Sequence, residues 1–130
     1  MDPTLDLEAR RLFISTALTT HAVRVIHGRV VDESKAEGLL ALARLLGEEI
    51  RPIERRYRLR FEPPYPGLTA GPEVVAGGSR LVLACTAFDH EEDPLGVVFT
   101  TLIPSRLPQV SVAPVEAGIP EGWRPATDLF

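Results

Sequence analysis

Leu5, Ala9, Leu12, Phe13 and Thr16 recur near one face at helical spacing. Asp2 can cap such a helix and Pro3 suits its first turn, so the pattern predicts a helix over residues 3–19. The β-branched Ile14, Thr16, Thr19 and Thr20 weaken its far end, because these side chains lose rotamer freedom in a helix. The run from Ala22 to Val31 is richer still in β-branched residues and predicts a strand interrupted by Gly28. Ser34 and Glu37 stand at capping-box spacing and open a second helix, which Pro52 stops. Along it Ala36, Leu39, Leu40, Ala43, Leu46 and Ile50 share one arc, while Leu42 and Leu45 fall outside. That excess of apolar surface asks for a second contact, with a partner, with another copy in a homodimer, or with the chain's own sheet or tail.

Tyr57, Leu59 and Phe61 then alternate with Arg56, Arg58 and Arg60, which predicts a strand with an apolar face and an arginine face. Prolines and glycines from Pro63 to Ser79 predict a long surface loop. Arg80 to Phe88 and Leu95 to Ile103 are apolar at alternate and intervening positions alike, as strands covered on both faces would be. The charged run Asp89 to Pro94 between them makes an antiparallel hairpin the simplest connection, and Gln109 to Val115 adds a last strand. The expected fold is α+β: a mostly antiparallel sheet of four to five strands packed by two helices from the N-terminal half. It forms one domain over residues 1–116, followed by an extended tail over 117–130. Trp123 and Phe130 are the apolar residues that would dock that tail on the domain or on a partner.

A chain of 130 residues is long enough for one core that needs no metal or disulfide staple. Cys85 is the only cysteine and lies in an apolar run, so a disulfide scaffold is excluded and the thiol is expected to be inert. No apolar stretch approaches the roughly 20 residues of a membrane-spanning helix, and the acidic N-terminus does not resemble a signal peptide. A cytoplasmic location follows as the expectation. A net charge of −4 disfavours nucleic acid and anionic membrane as general partners. One lysine, one glutamine and no asparagine give the composition a bacterial character.

The residues offer little chemistry. His21, His27 and His90 lack zinc spacing and read as surface or boundary residues, with no metal and no cofactor implied. Asp89, Glu91, Glu92 and Asp93 lack EF-hand order and read as a solvated turn. Gly77-Gly78-Ser79 leads into a strand, unlike a phosphate loop, and no serine has nucleophile-elbow flanks. Arg56, Arg58 and Arg60 therefore remain the main candidate site, a row of guanidinium groups suited to an acidic protein surface or an anionic ligand.

The expected function is accordingly a non-enzymatic protein–protein interaction module of the adaptor, inhibitor, assembly-factor or immunity type. It would act through a helix surface, the arginine face or the tail. One alternative is a regulatory domain binding an anionic small molecule, and another is a small enzyme using His90 with Glu91 or Glu92 as an acid–base pair.

Overall fold

A computed structural model describes residues 3–29, 36–76, 78–104 and 106–129, with the side chains of residues 3–5 and 127 left aside. The Ser34 end of the capping box and Phe130 lie outside the described residues. Three helices come first: α1 (Pro3–Ile26), α2 (Ala36–Glu48) and α3 (Arg51–Tyr57). Among the described residues seven antiparallel strands follow: β1 (Arg60–Glu62), β2 (Leu68–Thr69), β3 (Glu73–Val75), β4 (Gly78–Phe88), β5 (Pro94–Leu102), β6 (Gln109–Ala113) and β7 (Arg124–Pro125). Short 3-10 turns occupy Val115–Ala117 and Ala126–Leu129. The class is α+β, with three helices and more strands than the pattern of runs alone suggests.

The strand β4 organises the sheet. One edge pairs with β5, Leu83 opposite Thr100 and Cys85 opposite Val98, and β5 pairs in turn with β6. The other edge is shared by three short pieces, with β1 against Thr86 to Phe88, β2 against Ala84 and β3 against Gly78 to Arg80. The stretch expected to be a loop over 63–79 thus contributes β2 and β3. Its prolines and glycines shape the connections while backbone pairing to β4 supplies the strands. β7 pairs with β2, which fastens the C-terminal stretch to the sheet. Gly67 carries a φ of +106°, and a Cβ there would run into the Ala84 carbonyl and, at 2.9 Å, the Cys85 Cβ. The glycine is what lets the chain after Tyr65 lie directly on β4.

Helices cover one face of this sheet. Leu81, Leu83, Cys85 and Ala87 of β4 are buried there with Val98 and Leu102 of β5, against Ile14, Leu18, Ala22 and Val25 of α1 and Leu39, Ala43 and Leu46 of α2. On the alternate positions Ala84 and Val97 are buried, whereas Val82, Thr86, Phe88 and Phe99 are only half-buried. Full cover of both faces, expected from the apolar runs, is therefore not found, because the helices all precede the sheet and pack on one side.

Of the strand expected over residues 22–31, residues 22–26 are instead the last turn of α1 and 27–28 form a turn, while 30–31 lie outside the described residues. Burial overrides β-propensity here: Ile14, Leu18, His21, Ala22 and Val25 make one stripe at helical spacing facing the sheet and α2. Ser15 Oγ donates to the Val110 carbonyl at 2.8 Å, and Arg11 Nε donates to the Leu95 carbonyl at 2.8 Å, so the helix is also pinned by its polar side chains. Gly96 makes room for that approach, since a Cβ on it would meet Val112, the Ala113 carbonyl and Arg11.

His21 is the polar member of the stripe and is 1% exposed, not a boundary residue. Its Nε2 lies 3.1 Å from the Leu46 carbonyl and its Nδ1 lies 3.4 Å from an Arg24 guanidinium nitrogen. A carbonyl can only accept and a guanidinium can only donate, which selects the neutral ring protonated on Nε2. Burial lowers its pKa and the nearby Arg24 charge adds to that, outweighing the Leu46 carbonyl, which favours the cation.

Two predictions follow from this packing. The unfolded chain takes up a proton on His21 below about pH 6.5, whereas the folded chain resists it, so stability present above that pH is lost as pH falls below it. Urea unfolding at pH 7.5 and 5.5 should show this loss, and His21→Leu should flatten the dependence. An undiminished dependence in that variant would assign it to other groups. Gly67→Ala should lower unfolding free energy by about 2 kcal/mol or more. A melting temperature equal to wild type would mean that the loop can lift off β4 freely.

Candidate functional site

The row of arginines does not form. Pro52 seeds α3 from its first turn, and Ile53 and Tyr57, both half-buried, sit about one helical turn apart. Arg56 is therefore helical, with its guanidinium carbon 5.6 Å from the Tyr57 ring centroid. Arg58 ends the helix in the left-handed conformation, φ 53° and ψ 54°, and only Arg60 belongs to a strand. Arg60 donates to Glu92 at 3.0 Å and to Glu62 at 3.1 Å, and lies 4.4 Å over the Phe88 ring. Its charge is thus met by the β4–β5 hairpin, and none of four clefts on the surface has Arg56, Arg58 or Arg60 in its wall.

The other residues singled out from the sequence are distributed as follows. Leu42 is buried in the core and Leu45 is half-buried against it, so the wide apolar surface of α2 is taken up by α1, the sheet and the C-terminal 3-10 turn. Trp123 is half-buried beside β7. Carboxylate oxygens of Asp89, Glu91 and Asp93 lie within 4.8 Å of one another. Asp89 is already committed: Oδ1 accepts the backbone N–H groups of Glu91 and Asp93, and Oδ2 lies 3.5 Å from Arg10. Led by the Asp93 N–H, these contacts hold the Asp89 carboxyl below the usual carboxylate range, as a turn-closing group requires. His90 Nε2 stands 3.8 Å from Glu91, with both side chains exposed on the same turn.

Two of the four clefts are more enclosed than the others. One of about 380 Å3 runs between α2 and the 63–67 loop, walled by Leu40, Ala43, Tyr65 and Pro66. Tyr65 does not offer it a reactive hydroxyl, since that group bonds Thr100 and burial pushes its pKa up. The thiol of Cys85 is likewise buried and its pKa pushed up by that burial. The other, about 430 Å3, lies at the end of α1 and brings together His27, Arg29 and Arg106 over Ile26 and Leu42.

The surface with the most unusual chemistry is the outward side of α1. No Asp, Glu, Lys or Arg occurs between Arg11 and Arg24, so both sides of that helix are free of charge over this span. At about 100° per residue Ala9, Leu12, Phe13, Thr16, Thr20 and Val23 share the side turned away from the core. Leu12 is 69% exposed and Phe13 63% exposed, the latter meeting the Tyr57 ring edge-on at 5.6 Å. The threonine hydroxyls here are already used. Thr16 donates to the Leu12 carbonyl at 3.0 Å, Thr19 to Ser15 at 2.7 Å and Thr20 to Thr16 at 3.0 Å. Each hydroxyl is turned into its own helix, so the face presents methyl groups and can be covered without stranding a donor. Reading residues 22–31 as a strand divides this helix, which is why the sequence pattern hid the face; the charge-free interval from Leu12 to Val23 is the signal that marks it.

Arg58 supplies the prediction for this region. A left-handed C-terminal residue is ordinarily glycine, so Arg58→Gly should raise unfolding free energy by roughly 1 kcal/mol. A calorimetric melting temperature below that of wild type would show instead that the Arg58 side chain makes a net stabilising contact.

No family model matches the chain, and no curated protein or solved structure matches it.

Proposed function

We propose that this protein is a non-enzymatic protein-interaction module whose working surface is the outward face of α1. The observation that carries the reading is the combination of exposed Leu12 and Phe13 with threonines whose hydroxyls are bonded within the helix. Apolar surface of that kind is disfavoured in water and is the usual mark of a contact with another protein. Among the described residues no helix is long and apolar enough to cross a membrane, so α1 is read as a protein-binding element and not as a membrane span. The acidic composition and single buried cysteine support a cytoplasmic setting, and the scarcity of lysine and asparagine supports a bacterial source. A regulatory domain for a small anionic ligand is the second reading, favoured by Arg29, Arg106 and His27 around the cleft of about 430 Å3.

A double substitution, Leu12→Glu with Thr20→Glu, tests the leading reading. Both positions are exposed, so stability should change by about 0.5 kcal/mol or less per site. Tagged wild type and variant would be expressed beside an untagged copy in the source cell, and the proteins retained by each compared by mass spectrometry. Wild type should retain a stoichiometric partner, either the untagged copy or another chain, that the variant loses. Equal retention by the folded variant would remove α1 from the functional account.

A further inference from the structure

We infer that the partner of the α1 face is a second copy of this chain, laid antiparallel to the first across a two-fold axis near Thr16. The inference rests on the reading of α1 as the working surface and specifies its occupant.

Shape is the first argument. The exposed face is uneven along its length, with Leu12 and Phe13 in its N-terminal half and the smaller Thr16, Thr19, Thr20 and Val23 in its C-terminal half. A shallow hollow walled by Thr19, Thr20, Val23, Arg24 and His27 lies in that second half. An antiparallel pair sets the large side chains of each copy over the small ones of the other, at the mouth of this hollow. A parallel pair would stack leucine on leucine and leave the threonines facing a gap. Small β-branched side chains with satisfied hydroxyls also let two helix backbones come close.

Charge is the second argument, and it is independent of the first. The first turn of α1 carries Asp6 and the last turn carries Arg24. They are eighteen positions apart, about five full turns, so both project from the same flank of the exposed face. A two-fold axis perpendicular to the helices keeps a flank on its own side while reversing its direction, which brings Asp6 of one copy to Arg24 of the other, twice. A two-fold axis parallel to the helices would instead carry this flank to the opposite side of the seam, so that in a parallel pair neither Asp6 nor Arg24 would have its counterpart across from it. Arg10, the basic residue one turn after Asp6, is directed to Asp89 on the β4–β5 hairpin, which leaves the acidic end of the flank unbalanced within its own chain.

Size sets the strength. A helix of 24 residues is about 36 Å long and one helix diameter, about 10 Å, wide. The seam is then on the order of 360 Å2 per copy, less than half of the roughly 800 Å2 typical of stable complexes. The dimer is accordingly reversible and concentration-dependent.

Sedimentation equilibrium of the full chain from about 10 to 200 µM should show a monomer–dimer equilibrium. Leu12→Glu should raise its dissociation constant about tenfold or more while the melting temperature stays at the wild-type value. Asp6→Arg should weaken the dimer, and adding Arg24→Glu to it should restore association, because the pair is then reversed and not lost. Mixed under oxidation, an Ala9→Cys copy and a Val23→Cys copy should cross-link to one another, and neither should cross-link to itself. A chain that stays monomeric at 200 µM overturns the inference, as does a dimer indifferent to Leu12→Glu or one that cross-links through Ala9→Cys alone. If the monomeric chain still loses another retained protein on substitution of Leu12 and Thr20, the broader reading of α1 stands and only its occupant is wrong; if nothing retained depends on them, both fail.

Discussion

The pairing of both edges of β4 is the constraint on which the rest of the structure depends. A strand of 11 residues buried in the middle of a sheet can satisfy its backbone only if partners run along it on both sides. β5 meets one side for almost its whole length, whereas the other side is met piecewise by β1, β2 and β3. None of those short pieces is a stable strand by itself, and each exists because β4 offers a fixed row of donors and acceptors. Gly67 is required at the point where the intervening chain must lie on that row. The apolar face that results, from Leu81 to Ala87, is in turn what the helices bury.

That arrangement determines what α1 can do. One side of the helix is committed to the core through Ile14, Leu18, His21, Ala22 and Val25, with Arg11 and Ser15 bonded to sheet carbonyls. His21 joins it to α2 as a buried neutral ring, which fixes the rotation of the helix about its axis. The other side is then held in one orientation and presents Leu12, Phe13 and the threonines to solvent. A surface positioned by a rigid scaffold loses little freedom on binding, so even a narrow contact retains useful affinity. The same threonines that lower helix propensity become acceptable once their hydroxyls return to the i−4 carbonyls, and that choice leaves the face apolar.

Part of this was legible in the sequence. The hairpin of β4 and β5 follows from two apolar runs around a charged turn, β6 from the run at Gln109, and α2 from its leucine arc ended by Pro52. The inert state of Cys85 was legible too, because a lone thiol inside an apolar run has no nearby charge to stabilise its anion. Residues 56–61 misled because arginine and aromatic side chains in alternation fit a strand, whereas the helix begun at Pro52 takes in Arg56 and Tyr57 and the strand starts only at Arg60. Residues 22–31 misled for the related reason that β-propensity is weaker than the burial of a continuous helical stripe.

The sequence by itself determined the class of fold, the lack of a second cysteine for a disulfide within these 130 residues and the central hairpin, since these depend on composition and on local periodicity. Only the tertiary structure decided that α1 runs unbroken to Ile26, that Arg60 is answered by Glu62 and Glu92, and that His21 is neutral and buried. It also decided which side of α1 remains uncovered. Those outcomes depend on which surfaces meet after the chain folds back on itself, and contacts between residues as distant as Ser15 and Val110 leave no periodic trace in the sequence.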